Sequence, residues 1–395
     1  MVIEKSKYEV PFSIKILDGN FDLVALVNYS AVQWNRNYHE PGTFTVEGVR
    51  GEFDKSTWKY VYTEQRRELG RITQINWKKD GNKQTLTLSG VFIEDDLNKM
   101  VCYAKPTHFD DDEGTHAGTS ILSTDSPTWV TASGTADEVA EAFFEGFKQV
   151  SIRNYPIDGD TITTTTFDLG IEFGYVEDGD YHRSVHNRNN EYLGSKLYKI
   201  LKPSGASYFV EFDYETKVQT LHIIHGLDRT QEGHEYGVNP ITFSSRNGTI
   251  KSARIVTSTT DTKDAVIQYS EDESQTLILA NVADGSLGRF TVEQMKSSQS
   301  DFEGDDTGHK LAVMADASSR LEDLVDKINL QFDFVASSYR YMEDFDLGDK
   351  VSVEIPEMDL SVDAQIVACH EVIKNGTWSL DIEIGSSTIR KRGRI

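Results

Sequence analysis

Apolar and polar residues alternate at period two through much of the first hundred positions, which is the pattern of strands with one buried face. The runs Tyr8–Leu17 and Phe21–Val27 flank Asp18-Gly19-Asn20, a hairpin turn in which Gly and Asn tolerate positive φ. Further strands are predicted at Thr43–Val46, Gly70–Trp77 and Gln84–Phe92, with Asp80-Gly81-Asn82 turning between the last two. Such spacing belongs to an antiparallel barrel or sandwich.

From Val101 the pattern changes. His108 to His116 and the Ser/Thr-rich stretch up to Thr135 read as exposed loop. Thr135 and Glu138 then form a capping box, followed by Val139, Phe143, Phe144 and Phe147 on one helical face. Residues 158–190 are polar and Gly-rich, a loop with short strands. A second helix starts near Asn190, presents Leu193, Leu197, Ile200 and Leu201, and stops at Pro203-Ser204-Gly205. The runs Ala206–Asp213 and Lys217–Ile224 make a hairpin across Tyr214–Thr216, and strands follow at Thr249–Thr257, Asp264–Tyr269 and Thr276–Ala280. A long helix is predicted from about Thr307 to Leu330, with Leu311, Leu321, Leu324, Val325 and Ile328 as its stripe. Four strands close the chain: Gln331–Ser337, Lys350–Ile355, Ser361–Ile373 and Thr377–Ile384.

These elements describe an α+β, mainly β chain with two β-barrel-like domains and mixed α/β inserted domains. Residues 1–100 are the expected first barrel, 101–190 an inserted domain with one helix, and 191–250 an α/β domain. Residues 251–395 are the expected second barrel, carrying the long helix and a basic tail. At 395 residues the chain exceeds one ordinary core. With 38 % hydrophobic and 10 % aromatic residues it can fill more than one. No apolar run reaches the ~18 residues that span a bilayer, and Met1-Val2-Ile3-Glu4-Lys5 lacks a signal-type hydrophobic region. Cys102 and Cys369 match no metal or redox spacing and read as buried, reduced thiols.

The formal net charge of −24 argues against binding nucleic acid through its phosphates, which calls for a basic footprint. One cluster runs the other way: Arg390, Lys391, Arg392 and Arg394, either a solvated tail or an anchor for an acidic neighbour. Catalytic signatures are missing: there is no Gly-x-Ser-x-Gly elbow, His-Glu-x-x-His helix or phosphate-cradling Gly-rich loop. Ser56-Thr57-Trp58-Lys59 has a serine–lysine spacing but no helix to present it. The acidic groups at 108–116 and at Asp301, Glu303, Asp305, Asp306 and His309 lack the register of a calcium loop and read as solvated surface. Asp305 and Asp306 also precede a predicted helix, where negative charge favours the dipole. His182 and His186 fall in a predicted loop, and His222 and His225 sit three apart on a strand, facing opposite sides. No catalytic, cofactor or metal-binding residue is assigned.

Several segments, in order, resemble the siphophage tail-hub family, also called baseplate hub or tail-associated proteins. Ile16–Phe21, Trp34 and Tyr38–Phe44 are similar to its opening; Gly70-Arg71-Ile72, Leu86–Gly90 and Leu97 to its next strands. Tyr192–Leu197, Gly226–Arg229 and Ile241–Ser245 resemble its middle, and Tyr341–Lys350 with Gly385 its last barrel. The residues that carry the likeness are turn residues: Pro41 and Gly42, and Leu347, Gly348 and Asp349 ahead of Val351. Segments 104–135 and 158–190 match poorly, and the chain stops soon after the last barrel, where many relatives continue into fibre or cell-wall hydrolase domains. The resemblance implies a structural, non-enzymatic virion tail protein, assembled in the bacterial host cytoplasm. It implies a homotrimeric ring at the tail tip that continues the channel, serves host cell entry and binds neither membrane nor specific nucleic acid sequence. Implied partners are the distal tail protein, the tape-measure protein, and a tip fibre or tail-associated enzyme. Two rival readings are a tail-associated peptidoglycan hydrolase and a carbohydrate-binding module using aromatics such as Trp129 or Tyr181.

Folding without metal follows from the missing ligand spacings. A chelator should leave the melting temperature unmoved; a fall of many degrees would mean that one of the acidic loops binds a cation needed for stability.

Overall fold

The computed structural model describes residues 10–49, 57–81, 83–102, 120–122, 131–154, 163–174, 182–186, 191–234, 236–258, 265–269, 276–280, 292–296, 310, 313–314, 317, 327–335 and 339–385. The chain divides into two compact units, each assembled from separate stretches of sequence. The first comprises Met1–Asp95, Gly205–Thr257 and Ile328–Ile395; the second comprises Asp96–Ser204 and Ser258–Lys327.

In the first unit the N-terminal strands are β1 (Ile14–Leu17), β2 (Leu23–Val27), β3 (Ala31–Asn37), β4 (Thr43–Val49), β5 (Tyr60–Tyr62), β6 (Gly70–Asp80) and β7 (Lys83–Phe92). They pair in the order β2-β1-β5-β6-β7-β4-β3. Their inward residues, among them Ile14, Ile16, Val32, Trp34, Phe44, Val46, Leu88 and Phe92, form one core. Alternation explains the choice: in β3, Val32 and Trp34 are buried while Gln33 between them is exposed. At the first hairpin, the backbone N–H groups of Asn20 and Asp22 donate to Asp18 Oδ1 at 2.8 and 2.9 Å. Positive φ falls on Phe21 (61°), not on Gly19 or Asn20 as composition suggests. The Phe21 ring, set against Tyr60 and Phe212, accounts for that choice.

The ladder does not stop at β3. The strand Leu360–Lys374 pairs antiparallel with β3, placing His370 opposite Asn35 and Glu371 opposite Trp34. Beyond it come Thr377–Ile384, Lys327–Phe334 and finally Ile250–Ser258. A second core fills this side, with Phe243, Leu330, Phe332, Tyr341, Phe345, Val351 and Ile382 at its centre. Trp378 packs against both cores. The expected pair of barrels is therefore corrected: both strand-rich ends share one sheet path, and no ladder among the described residues closes on itself. β2 and Ile250–Ser258 are the two ends of that path.

The expected helix to Leu330 is also corrected. Residues 310, 313, 314 and 317 are helical, but Lys327–Phe334 is a strand. Leu330, Phe332 and Phe334 are buried at period two, and that alternation overrides the 3.6-residue reading of Ile328. β3 and β5 were not anticipated. Thr131–Thr135 is a strand and not a loop, paired with His182–His186. Its ladder partner is some 50 positions away, a pairing that local composition does not report. His182 and His186 thus lie on a strand, separated by about 13 Å of extended backbone.

In the second unit, α1 (Ala136–Phe147) begins at the expected capping box: Thr135 accepts from the Glu138 N–H and Glu138 from the Thr135 N–H. Its buried face is Val139, Phe143, Phe144 and Phe147, and it packs against α2 (Leu193–Leu201). α2 buries Leu193, Leu197, Ile200 and Leu201. The sequence Ala265–Tyr269 pairs antiparallel with Thr276–Ala280 and parallel with Val292–Lys296. Among the described residues no helix is long and apolar enough to cross a membrane.

Candidate functional site

The largest concentration of buried chemistry lies in the first unit, where charged side chains occupy inward positions of apolar strands. Arg36 shares parity with Val32 and Trp34 on β3, and Glu371 shares it with Cys369 and Ile373 on Leu360–Lys374. The loop between β5 and β6 supplies one partner to each, Glu68 and Arg66, and the others come from Tyr341, Asp346 and Trp378. Arg36 donates from Nε to Glu68 Oε1 at 2.6 Å, and from Nη1 to Asp346 Oδ1 at 2.6 Å and Tyr341 Oη at 2.8 Å. Arg66 grips Glu371 with two N–H groups, Nε to Oε1 at 2.8 Å and Nη2 to Oε2, and both side chains are fully removed from solvent. Trp378 Nε1 donates to the same carboxylate at 2.8 Å. Arg67 lies at the rim, stacked 3.8 Å over the Phe209 ring and 3.4 Å from Asp346 Oδ2.

Three guanidinium groups thus meet three carboxylates along a seam joining residues about 300 positions apart. Burial alone would raise Glu68 and Asp346; Arg36 first and then Arg67 outweigh it and hold both below the ordinary carboxylate range. A fourth acid breaks the balance. Glu94 is buried, accepts weakly from the Val210 N–H at 3.4 Å, and leaves Oε2 without a hydrogen-bond partner. Burial, then the nearby Glu68 charge, pushes its carboxyl up to about 8, so it is mostly protonated at neutral pH. Burial also lifts the Cys102 thiol to about 12 and the Cys369 thiol still higher; both are free, buried and inert.

The turn Leu347-Gly348-Asp349 abuts this seam. Leu347 belongs to the second core. Gly348 has φ +95°, and a Cβ there would come within 2.4 Å of the Tyr38 ring. Tyr38 is itself fixed by donating its hydroxyl to Gly205 O at 2.9 Å and Ile224 O at 3.0 Å. Asp349 Oδ1 accepts from the Leu227 N–H at 2.9 Å, and Oδ2 accepts from Arg229 Nε at 2.7 Å and the Asp346 N–H at 3.1 Å. Pro41 and Gly42 serve elsewhere: a Cβ on Gly42 would meet Asn35 O and the Phe92 ring at 2.4 Å, so close approach, not positive φ, demands glycine.

None of these groups has the form of a reaction centre. The inner seam residues Arg36, Glu68, Arg66 and Glu371 are closed from solvent and engaged with their partners, while Arg67 and Asp346 at the rim reach it. Among the described residues no group of three or more His, Cys, Asp or Glu is placed to hold a metal ion. His222 stacks on Phe209 and pairs with Glu211 at 3.2 Å, a surface contact. The acidic groups at 108–116 and 301–309, Ser56, Trp129, Tyr181 and the basic residues 390–394 lie outside the described residues. Sequence reading passed over Arg36, Arg66, Glu68, Glu94 and Glu371, although the parity of Arg36 and Glu371 marks them as inward.

The first unit is thus a two-core β assembly whose buried charges are paired with one another across the seam. The sequence profile of the family described as Siphovirus ReqiPepy6 Gp37-like protein matches residues 13–386, so the chain belongs to that family. The fold is that of phage tail proteins. A tail protein from Neisseria meningitidis MC58 is 9 % identical with TM-score 0.54, over 96 % of this chain and 98 % of that one. The 43 kDa tail protein of prophage MuSo2 from Shewanella oneidensis is 10 % identical with TM-score 0.56, over 95 % and 98 %. No curated protein matches the sequence significantly.

Two substitutions probe this region. Gly348→Ala forces a side chain into left-handed backbone and into the Tyr38 ring, and should cost more than about 1 kcal/mol in a urea titration; an unchanged midpoint would show that the turn relaxes freely. Glu94 has a folded pKa raised above its unfolded 4.5, so its contribution is full below about 4.5 and is lost as pH climbs through about 8. Glu94→Gln should therefore gain on the wild type by about 1.4 kcal/mol for each pH unit between about 4.5 and 8, so that the gap is widest at pH 8 and narrows toward pH 5. A constant difference across that range would mean that Glu94 ionises normally.

Proposed function

We propose that this protein is a structural, non-enzymatic component of the virion tail, forming a homotrimeric hub at the distal end that continues the tail-tube channel and adapts its symmetry to the tip. The observation that carries the reading is the single sheet path joining both ends of the chain, with apolar cores on one side and a polar face on the other. On that polar face Asn35, His370, Asp381, Glu383 and Asp333 follow one another across four strands. A wall of this kind, richer in acids than in bases, repels phosphates and lets DNA pass without sticking. Three copies would carry −72 formal charges, three times the −24 of one chain. In this reading the two strand-rich ends of each copy act as two wall-forming domains, and the helical segments decorate the outside. The neighbours are the distal tail protein, the tape-measure protein and a tip fibre or tail-associated enzyme.

Light scattering should give three times the mass of the single chain, alone or after mixing with a distal tail protein, and the assembly should not retain duplex DNA at physiological salt. A monomer under both conditions would remove the hub, and tight DNA binding would remove the acidic channel. Release of peptidoglycan fragments from cell walls would instead identify a hydrolase.

A further inference from the structure

The first unit contains one strand arrangement twice. The hairpin of β6 and β7 turns between Asp80 and Lys83, and that of Leu360–Lys374 and Thr377–Ile384 turns between Lys374 and Thr377. Both carry a bulge at the same distance from the turn, Ile72/Gln74 in one and Ile366/Ala368 in the other. β4 lies beside β7, and Lys327–Phe334 takes the same place beside Thr377–Ile384. The strand that follows β4 in the ladder is β3, so its counterpart beyond Lys327–Phe334 is Ile250–Ser258. A further strand flanks the opening part of each long strand: β5 beside Gly70 and Arg71, and Lys350–Ile355 beside Leu360–Gln365.

The two copies of the arrangement differ in one place. Past its bulge, Leu360–Lys374 gains β3 as a neighbour over Ala368–Lys374. Cys369, Glu371 and Ile373 are all buried there, and Ile373 enters the first core. Past the bulge of β6, no strand takes that place among the described residues. Counted from the turns, Ile75, Trp77 and Lys79 match Cys369, Glu371 and Ile373, yet Trp77 is 48 % exposed and Lys79 is open to solvent. The outer edge of Ile250–Ser258 is also unpaired among the described residues, and its Val256 is 45 % exposed. One chain therefore shows both halves of a missing junction, at opposite ends of eight successive strands.

We propose that residues 74–80 of β6 in one copy add antiparallel to Ile250–Ser258 of a second copy, repeating between copies the junction that Leu360–Lys374 and β3 make within one. This inference rests on the reading of the protein as a ring of copies, and it names the surfaces that join them. The two edges differ, so each copy offers one and receives the other; such head-to-tail contact closes as a ring and does not stop at a dimer. Main-chain hydrogen bonds supply the affinity, since each open edge is a template for a strand. Trp77 is then covered by the second copy near Ile255, which already borders the second core. Lys79 takes the place that Ile373 holds on the first core, laying its aliphatic stem on apolar surface with the ammonium in water.

A cysteine pair and a buried charge test the junction in the full chain. Lys374, the last residue of its strand, pairs with Ala31, the first of β3, so Asp80 should lie near Lys251 of the next copy. Asp80→Cys combined with Lys251→Cys should give covalently joined copies on mild oxidation, and either variant alone should give none, because the native Cys102 and Cys369 are buried. Trp77→Glu should raise the concentration needed for association at least about tenfold, with the melting curve of the dissociated chain unchanged. If Trp77→Glu fails to fold, the cysteine pair decides. A trimer that keeps its mass in Trp77→Glu, or that forms no bond in the cysteine pair, overturns the junction and leaves the hub standing. A wild-type chain that stays monomeric at every concentration, alone or with a distal tail protein, overturns the hub and the junction with it.

Discussion

The clamp of Arg66 on Glu371 and the fork of Arg36 onto Glu68 and Asp346 constrain everything else in the larger unit. Removing a guanidinium and a carboxylate from water costs several kcal/mol for each ion, and the cost is recovered only when every charge meets its partner. A seam of this kind tolerates no approximate fit. If β3 slipped by one residue against Leu360–Lys374, Arg36 would turn to the solvent face and leave Glu68 and Asp346 buried without it. The apolar residues of the two strands, by contrast, would accept several registers at modest loss. Hydrophobic burial drives the collapse here, and the ionic seam selects one pairing between segments some 300 residues apart.

With that pairing set, two cores that could have belonged to separate domains become parts of one sheet. Trp378 marks the junction, packing on both cores while its indole N–H completes the hydrogen bonding of Glu371. The turn at Gly348 closes the same region from the other side: its positive φ lets the chain pass under the Tyr38 ring, and Asp349 gathers Leu227 and Arg229. Family-like turn residues and seam residues are thus one assembly. The turn glycine has no chemistry of its own, yet it positions the Asp346 carboxylate that Arg36 requires.

Much of this fold was legible in the sequence, and what was not has a physical reason. Local signals did well: the capping box at Thr135, the end of α2 at Pro203 and the closing strands from Lys350 are fixed by residues within one turn or one strand. Signals failed where a distant partner decides. β3 carries Gln33, Asn35 and Arg36 and looks too polar for a central strand, but its polar residues face outward or meet buried counter-charges supplied from elsewhere. Thr131–Thr135 has no local reason to be extended beyond its partner His182–His186. The seam itself could have been half read: Arg36 and Glu371 break the apolar parity of their strands, and a charge in an inward position announces a partner without naming it. Glu68 and Glu94 give no such notice.

The seam also decides where the charge of the molecule can reside. Its guanidinium and carboxylate groups balance, and the extra acid, Glu94, is neutralised by its own proton. The formal −24 counts Glu94 as ionised, so with its proton in place −24 + 1 = −23 remains, carried outside the seam. Surfaces of that sign repel copies of themselves over roughly a Debye length of 8 Å at physiological salt. Stretches of the surface without charge stand out against that background. The end strand β2, Leu23-Val24-Ala25-Leu26-Val27, is one: it bears no charge, its Leu26 side chain is 66 % exposed, and its outer backbone edge is unpaired among the described residues. An edge so apolar is a hazard in a monomer, because it invites any passing strand. With no charge of its own, this edge is a stretch of the surface where the like-charge repulsion of an acidic protein is locally weak.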